Sequence, residues 1–159
     1  LRTSGLWPFE CQEQWYYEVV CNPTSPHRYW GLVQDTTLLG IGGLTHWEPE
    51  NRLAQISLLL APASRGHGYG SNAVSLLLAE GFERIGLNMI YGECYANNSA
   101  ALAFWQVQRR RWDGTNTWLR ARKFWAGQFW DSYHFTFLAG EYFVHKNVEQ
   151  SKEEETEHE

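Results

Sequence analysis

A single domain with helices packed on a mixed α/β sheet is the architecture this chain encodes. Its hydrophobic periodicity switches repeatedly between strand-like and helix-like. Nine Trp, eight Tyr and eight Phe among 159 residues supply enough apolar material for one real core. A glycine-rich turn, Arg65-Gly66-His67-Gly68-Tyr69-Gly70, also links an apolar β-prone run to an amphipathic helix.

Phe9 to Val20 reads as a helix, with Pro8 near its start and Asn22, Pro23 and Pro26 ending it. Arg28–Gln34 and Leu38–Glu48 read as strands around a turn at Asp35-Thr36-Thr37. Residues 47–51 turn again, into a third strand over Leu53–Leu60. After the glycine turn, Val74, Leu77, Leu78, Phe82 and Ile85 share one helical stripe, and Gly86 is a natural stop. Met89–Tyr95 is a fourth strand. Asn97-Asn98-Ser99 opens a further helix through about Gln108, followed by a polar link over Arg109–Gly114. Thr115–Phe124 and Ser132–Phe143 read as aromatic strands around a turn at Ala126-Gly127. The order is α-β-β-β-α-β-α-β-β, without internal repeats.

The net charge of −5 is concentrated at the end of the chain. Glu149, Glu153, Glu154, Glu155, Glu157 and Glu159 face only Lys152, leaving twelve acids and twelve bases in residues 1–148. Residues 149–159 therefore read as an acidic, disordered, solubilising tail on a neutral domain spanning 1–148. A neutral body gives no support for nucleic-acid binding. No stretch reaches the roughly 18 apolar residues of a membrane span, and no secretory signal is visible. Cys11, Cys21 and Cys94 have no metal-ligand spacing and read as free thiols in a reducing cytoplasm.

The chemistry starts at the glycine turn. A helix start carries unpaired N–H groups and partial positive charge, and glycines let those groups curl around an anion. A Walker loop would need Lys-Ser/Thr after the last glycine, where Ser71-Asn72 stands. A Rossmann fingerprint needs G-x-G-x-x-G, whereas the spacing is G-x-G-x-G.

Arg65, Gly68 and Gly70 meet the pattern R-x-x-G-x-G/A, with Gly66 as the extra glycine of a common variant. Asn98, Ala101 and Trp105 meet N-x-x-A-x-x-x-aromatic in the later helix. With the strand before the loop and the helix after it, residues 29–143 resemble the GNAT superfamily of acetyl-CoA-dependent N-acetyltransferases. The resemblance points to the bacterial branch of ribosomal-protein alanine, diamine and amino-sugar acetyltransferases. It implies a mostly antiparallel sheet flanked by helices, acetyl-CoA as cosubstrate, no metal, and an amine-bearing small molecule or peptide as acceptor. A homodimer fits as well.

The resemblance also implies site residues. The amides of Gly66, His67, Gly68, Tyr69, Gly70 and Ser71 would hold the coenzyme A pyrophosphate, with Arg65 adding charge. The backbones of Leu58, Leu59 and Leu60 would bond the pantetheine arm. Asn98 would bond the same arm, or simply cap its helix, for which Asn is well suited. Trp105 stands where many relatives have a Tyr that protonates the thiolate. An indole N–H is only a donor, so Trp105 walls the thioester pocket or packs the core, and Tyr95 or water supplies the proton. Gln55 stands where many relatives have a Glu base. It can orient a water or the amine, and His46 and Glu48, with Glu50 beyond, are the nearby alternatives. Asp131 would meet an acceptor ammonium or cap its turn. Arg109, Arg110, Arg111, Arg120, Arg122 and Lys123 form a solvated basic face, or meet an acidic acceptor or the cofactor's 3′-phosphate.

The start of the chain departs from the pattern. Relatives begin with a strand and helix, which residues 1–8 are too short to hold, so the first strand and helix are expected to be missing. The expected activity is direct acetyl transfer to a primary amine. The alternative is a coenzyme A-binding module without turnover, consistent with Gln55, Trp105 and the short start.

Overall fold

The computed structural model describes residues 8–157, with side chains through Ser151. Residues 1–7, most of the stretch too short for a first strand and helix, lie outside the described residues, as do residues 158–159.

Helix α1 (Phe9–Trp15) follows Pro8 and runs on as a π turn over Tyr16–Val20. Strands β1 (Arg28–Gln34), β2 (Thr37–Glu48) and β3 (Leu53–Leu60) form an antiparallel meander. Helix α2 (Tyr69–Ala79) continues as a π turn over Glu80–Ile85 and stops at Gly86, whose φ of 76° is left-handed. Strand β4 (Met89–Tyr95) leads into α3 (Ser99–Arg111), then β5 (Thr115–Trp125), β6 (Gln128–Leu138) and α4 (Ala139–Glu157). The six strands lie in the order β1-β2-β3-β4-β6-β5, and only β3 and β4 run parallel. The mixed, mostly antiparallel sheet flanked by helices is as expected.

Packing decides the faces. Leu77 and Leu78 of α2 join Leu44, Ala54, Ile56 and Ile90 in one core, which extends through Trp105 and Phe135 to Tyr142. Gly81 sits so close to Ile90 that a side chain there would meet its Cδ1 at 2.5 Å. Helix α3 meets the first turn of α2, with the Phe104 ring over Gly70. On the sheet's other face Tyr29 crosses Gly43 and takes the edge of Trp15 from α1, at 5.7 Å between ring centroids.

Three boundaries differ from the sequence reading. The last strand is Gln128–Leu138, not Ser132–Phe143. Ala139–Phe143 instead opens α4, because Tyr142 packs on Phe82 at 5.1 Å and on Trp112 at 5.5 Å, while Glu141 Oε2 accepts the Leu138 N–H at 3.2 Å. Tyr142 also donates to Glu83, which Lys146 meets at 2.7 Å. Residues 109–111 extend α3 rather than forming a link. Cations in a last turn suit the negative end of the helix dipole. Helix α4 runs to Glu157, into the segment read from sequence as a disordered tail.

Candidate active site

Strands β3 and β4 pair at only three positions, Leu53–Met89, Ala54–Ile90 and Gln55–Tyr91. Beyond Gln55 each follows another partner: β3 stays with β2 to Leu60, and β4 stays with β6 to Tyr95. The sheet therefore splits. Along β3, alternate residues turn their N–H and C=O groups toward β2, and Ala61 N–H on Leu39 O (2.9 Å) fixes the phase. By that alternation Leu58 and Leu60, beyond the last β3–β4 pair, present their backbone to the gap.

Two cavities open into this split, of about 530 and 510 Å³. Leu58, Asn98, Ala101 and Trp105 line both. One cavity lies toward the glycine loop and α3. The other lies on the face of Gln55, Glu93 and Tyr95.

At the loop, Gly66 and Gly68 have φ of 79° and 82°, a region L-residues rarely enter. A Cβ on either would project into open space. Gly68 caps α2 without a side-chain bond, and the first helical bond is Asn72 N–H to Gly68 O at 3.2 Å. The N–H groups of Tyr69, Gly70 and Ser71 are therefore left without intrahelical acceptors at the positive end of the helix. Arg65 folds onto the Leu60 carbonyl through Nε (3.2 Å) and Nη2 (3.1 Å), which anchors the loop to the end of β3.

Of the residues expected around the cofactor, Leu58, Leu59, Leu60, Arg65, Gly66, Gly68, Gly70, Ser71, Asn98 and Trp105 line the loop-side cavity. His67 and Tyr69 do not; their side chains stack on each other at 5.9 Å, and Tyr69 Oη donates to Gln34 Oε1 at 2.6 Å. Only their backbone can serve the loop. Asn98 caps α3, its Oδ1 accepting Ala101 N–H at 3.1 Å, while also lining both cavities. The two sequence readings of Asn98 are thus spatially compatible. Trp105 likewise stacks on Phe135 at 4.5 Å in the core and presents an edge to both cavities.

Of the expected catalytic residues, Gln55, His46 and Tyr95 line the second cavity. Glu48 lies outside that lining, at the end of β2, where it accepts from Asn51 Nδ2 at 2.8 Å. His46 sits at an irregularity between β2 and β3 with φ of 52°. Its N–H donates to His27 Nδ1 at 3.2 Å, and the two rings meet edge to face at 4.9 Å. Burial, with the nearby His46 charge, holds the His27 pKa below the ordinary imidazole value. Asp131 neither lines the second cavity nor caps the Ala126-Gly127 turn: its Oδ1 accepts the Ala121 N–H at 2.8 Å, across from an irregularity in β5.

Two residues singled out neither by motif nor by spacing also stand here. Glu93, a lone charge within an apolar strand, reaches the second cavity. It accepts from Ser132 Oγ at 2.6 Å and lies 3.2 Å from His134 Nε2. That isolated charge was the signal available in the sequence. Gln108, 1% exposed, donates through Nε2 to Ser71 Oγ at 2.9 Å, behind the glycine loop. Cys94 is also in the wall, but burial pushes its thiol up to about 11, so at neutral pH it is no thiolate nucleophile.

A family model described as an acetyltransferase (GNAT) domain matches residues 6–108. The chain belongs to the GNAT acetyltransferase family. It moves an acetyl group from acetyl-CoA to an amine. Among solved structures, this GNAT enzyme is similar to spermidine N-acetyltransferase from Vibrio cholerae in complex with CoA and spermine. The identity is 18%, over 87% of this chain and 79% of that one, with a TM-score of 0.76. The spermidine/spermine N-acetyltransferase of the same organism with manganese ions is 19% identical over 86% and 78%, with a TM-score of 0.74. A dodecameric form in an intermediate state is 19% identical over 85% and 77%, with a TM-score of 0.72. At such identities the likeness is one of fold. No curated protein matches this sequence. Among the described residues no group of His, Cys, Asp and Glu is arranged to hold a metal ion, and no helix is long and apolar enough to cross a membrane.

Proposed function

We propose that acetyl-CoA lies with its pyrophosphate on the amides of Gly66 to Ser71 and its pantetheine arm along the open edge of β3. Its thioester then reaches the split from the loop side, while a primary amine enters from the face of Gln55 and Glu93. The observation that carries this reading is the meeting of two cavities at Leu58, Asn98, Ala101 and Trp105, between strands that have parted.

The amine lone pair attacks the thioester carbonyl, the C–N bond forms, the C–S bond breaks, and the thiolate leaves. Juxtaposition supplies much of the rate, and an N–H of β3 polarises the carbonyl. Gln55, 7% exposed, orients the amine or a water. Glu93 or His46 takes the amine proton through water, and Tyr95 or water returns one to sulfur. The high Cys94 pKa favours direct transfer over an acyl-cysteine intermediate.

A second reading, a coenzyme A-binding module without turnover, draws on Gln55 and Trp105 standing where relatives carry Glu and Tyr. A panel of amines, spermidine included, incubated with acetyl-CoA and followed by free-thiol release and mass of the product separates the two. Acetylated amine is expected; a melting shift with acetyl-CoA but no product on any amine would favour the module. We further read the protein as a cytoplasmic enzyme that forms a homodimer, the free thiols Cys11 and Cys21 being suited to a reducing compartment.

A further inference from the structure

We propose that His46 accepts the amine proton at Nε2, through water, and that Thr45 is the positioning residue whose hydroxyl keeps the lone pair on that nitrogen. The inference deepens the reading above, in which the second cavity receives the amine, and rests on it. Thr45, His46 and Gln55 all line that cavity. A hydroxyl has one proton to give. That of Thr45, a residue 4% exposed, goes to the Gln55 carbonyl, an acceptor only, at 3.2 Å. Thr45 Oγ1 also lies 3.2 Å from His46 Nδ1. With its proton committed to Gln55 the hydroxyl can only accept there, so the neutral ring carries its hydrogen on Nδ1 and its lone pair on Nε2. An unconstrained imidazole favours the opposite arrangement. The Nδ1 bond also survives protonation of Nε2, because both nitrogens of an imidazolium are donors. As the C–N bond forms, the amine proton passes through a water to Nε2, and the exposed ring returns it to solvent. The Thr45 proton does not move.

The backbone is shaped to this contact. A regular strand sends neighbouring side chains to opposite faces, yet Thr45 and His46 touch. His46 has φ of 52° where the register of β2 with β3 shifts, between Thr45 and Glu48. Two bonds to the segment before β1 hold it there: His46 N–H on His27 Nδ1 at 3.2 Å and Trp47 N–H on Pro26 O at 2.8 Å. Such strain persists where the surroundings over-determine it and gathers at functional sites, and bulges re-aim side chains. The lowered pKa of His27 keeps that ring uncharged beside a His46 that takes on charge. Across the cavity the Glu93 carboxylate is engaged. Ser132 donates to its Oε1 at 2.6 Å, with His134 Nε2 at 3.2 Å and Arg122 Nε at 3.9 Å from the same oxygen, which favours His46 as the acceptor.

The test is long-range proton–nitrogen NMR of the histidine rings in the whole protein at pH about 8, where an ordinary imidazole is uncharged. His46 is assigned as the ring missing from His46→Ala. Its proton should sit on Nδ1 in the wild type and on Nε2 in Thr45→Val. With whichever of spermidine, n-propylamine and β-alanine gives most product, Thr45→Val should lower kcat about 10-fold or more with little change in KM. Thr45→Ser should restore most of it, and in the His46→Ala background Thr45→Val should cost nothing further. A wild-type proton on Nε2, full activity in His46→Ala, or a Thr45→Val loss that persists without His46 overturns the proposal. The first two of these stand even where Thr45→Val does not fold. The acetyl-CoA melting shift is measured alongside: its absence in the wild type, or no acetylated amine, overturns the parent reading, whereas turnover with the proton on Nε2 overturns the assignment of His46 alone.

Discussion

The Gln108 side chain, sealed beneath α3, donates to the hydroxyl of Ser71 at 2.9 Å, tying the third helix to the first turn of the second across 37 positions of sequence. Because Ser71 Oγ accepts this bond, its own proton is left to donate elsewhere, and Ser71 lines the loop-side cavity. Gln108→Leu, close in volume and apolar, should weaken acetyl-CoA binding by about 3- to 10-fold, in line with one hydrogen bond. Ser71→Ala should do the same, and the double variant should lose no more than either alone. Calorimetric titration of coenzyme A into the three proteins closes the cycle.

Gly68→Val places a β-branched side chain at φ 82°, where space is open but the backbone is unfavourable for any L-residue. The strain should cost about 1–2 kcal/mol of stability. The larger effect is on function, since the new methyls would occupy the approach to the amides of α2. Acetyl-CoA raises the melting temperature of the wild type by mass action; in Gly68→Val that shift should vanish while the circular dichroism stays native-like.

The proton acceptor can be assigned by pH–rate profiles. If Glu93 or His46 accepts the amine proton, Glu93→Gln or His46→Ala should lower kcat by about 100-fold, the usual scale of a general base. If neither does, turnover should track only the acceptor's own ionisation. Gln55→Glu would then supply a carboxylate beside the amine and move the rise of activity to lower pH. Glu48→Gln, outside the cavity wall, should leave the profile in place.

His27 should make stability fall on acidification. Its pKa is lowered in the folded protein by burial and by His46, so below the ordinary imidazole value of about 6.5 the unfolded chain binds a proton that the folded one resists. The contribution is therefore complete above that value and lost as pH falls through the folded pKa. Protonated Nδ1 also cannot accept the His46 N–H. Melting temperatures from pH about 8 to about 5 should fall less steeply in His27→Gln than in the wild type. Equal slopes would show that another group carries the dependence.

How much of this was legible in the chain follows the range of the interactions. The glycine turn, the Asn98 cap and the stop at Gly86 are local, set by backbone preferences a few residues long, and they stand where the sequence puts them. The six strands were legible for the same reason, their alternation being local. Glu93 and Gln108 were not, because their roles depend on the register of β4 with β6 and the contact of α3 with α2. The start of α4 failed differently. Tyr142 and Phe143 satisfy a strand pattern as well as a helical one, and the choice is made by Phe82 and Trp112, far away in sequence.

The split between β3 and β4 also has a mechanical side. Through its backbone the sheet is two three-stranded ribbons stitched at three pairs of residues, with the remaining cohesion left to side chains beneath. On the proposed placement of the substrates, the line of fewest backbone pairs is also the line where they meet. Amide protons of Leu58 and Leu60 should exchange with solvent faster than their neighbours bonded to β2, and slow when the cofactor arm is seated. On that placement occupancy and cooperativity should rise together: the empty enzyme is expected to behave as two loosely coupled leaves, and the loaded one as a single bound sheet.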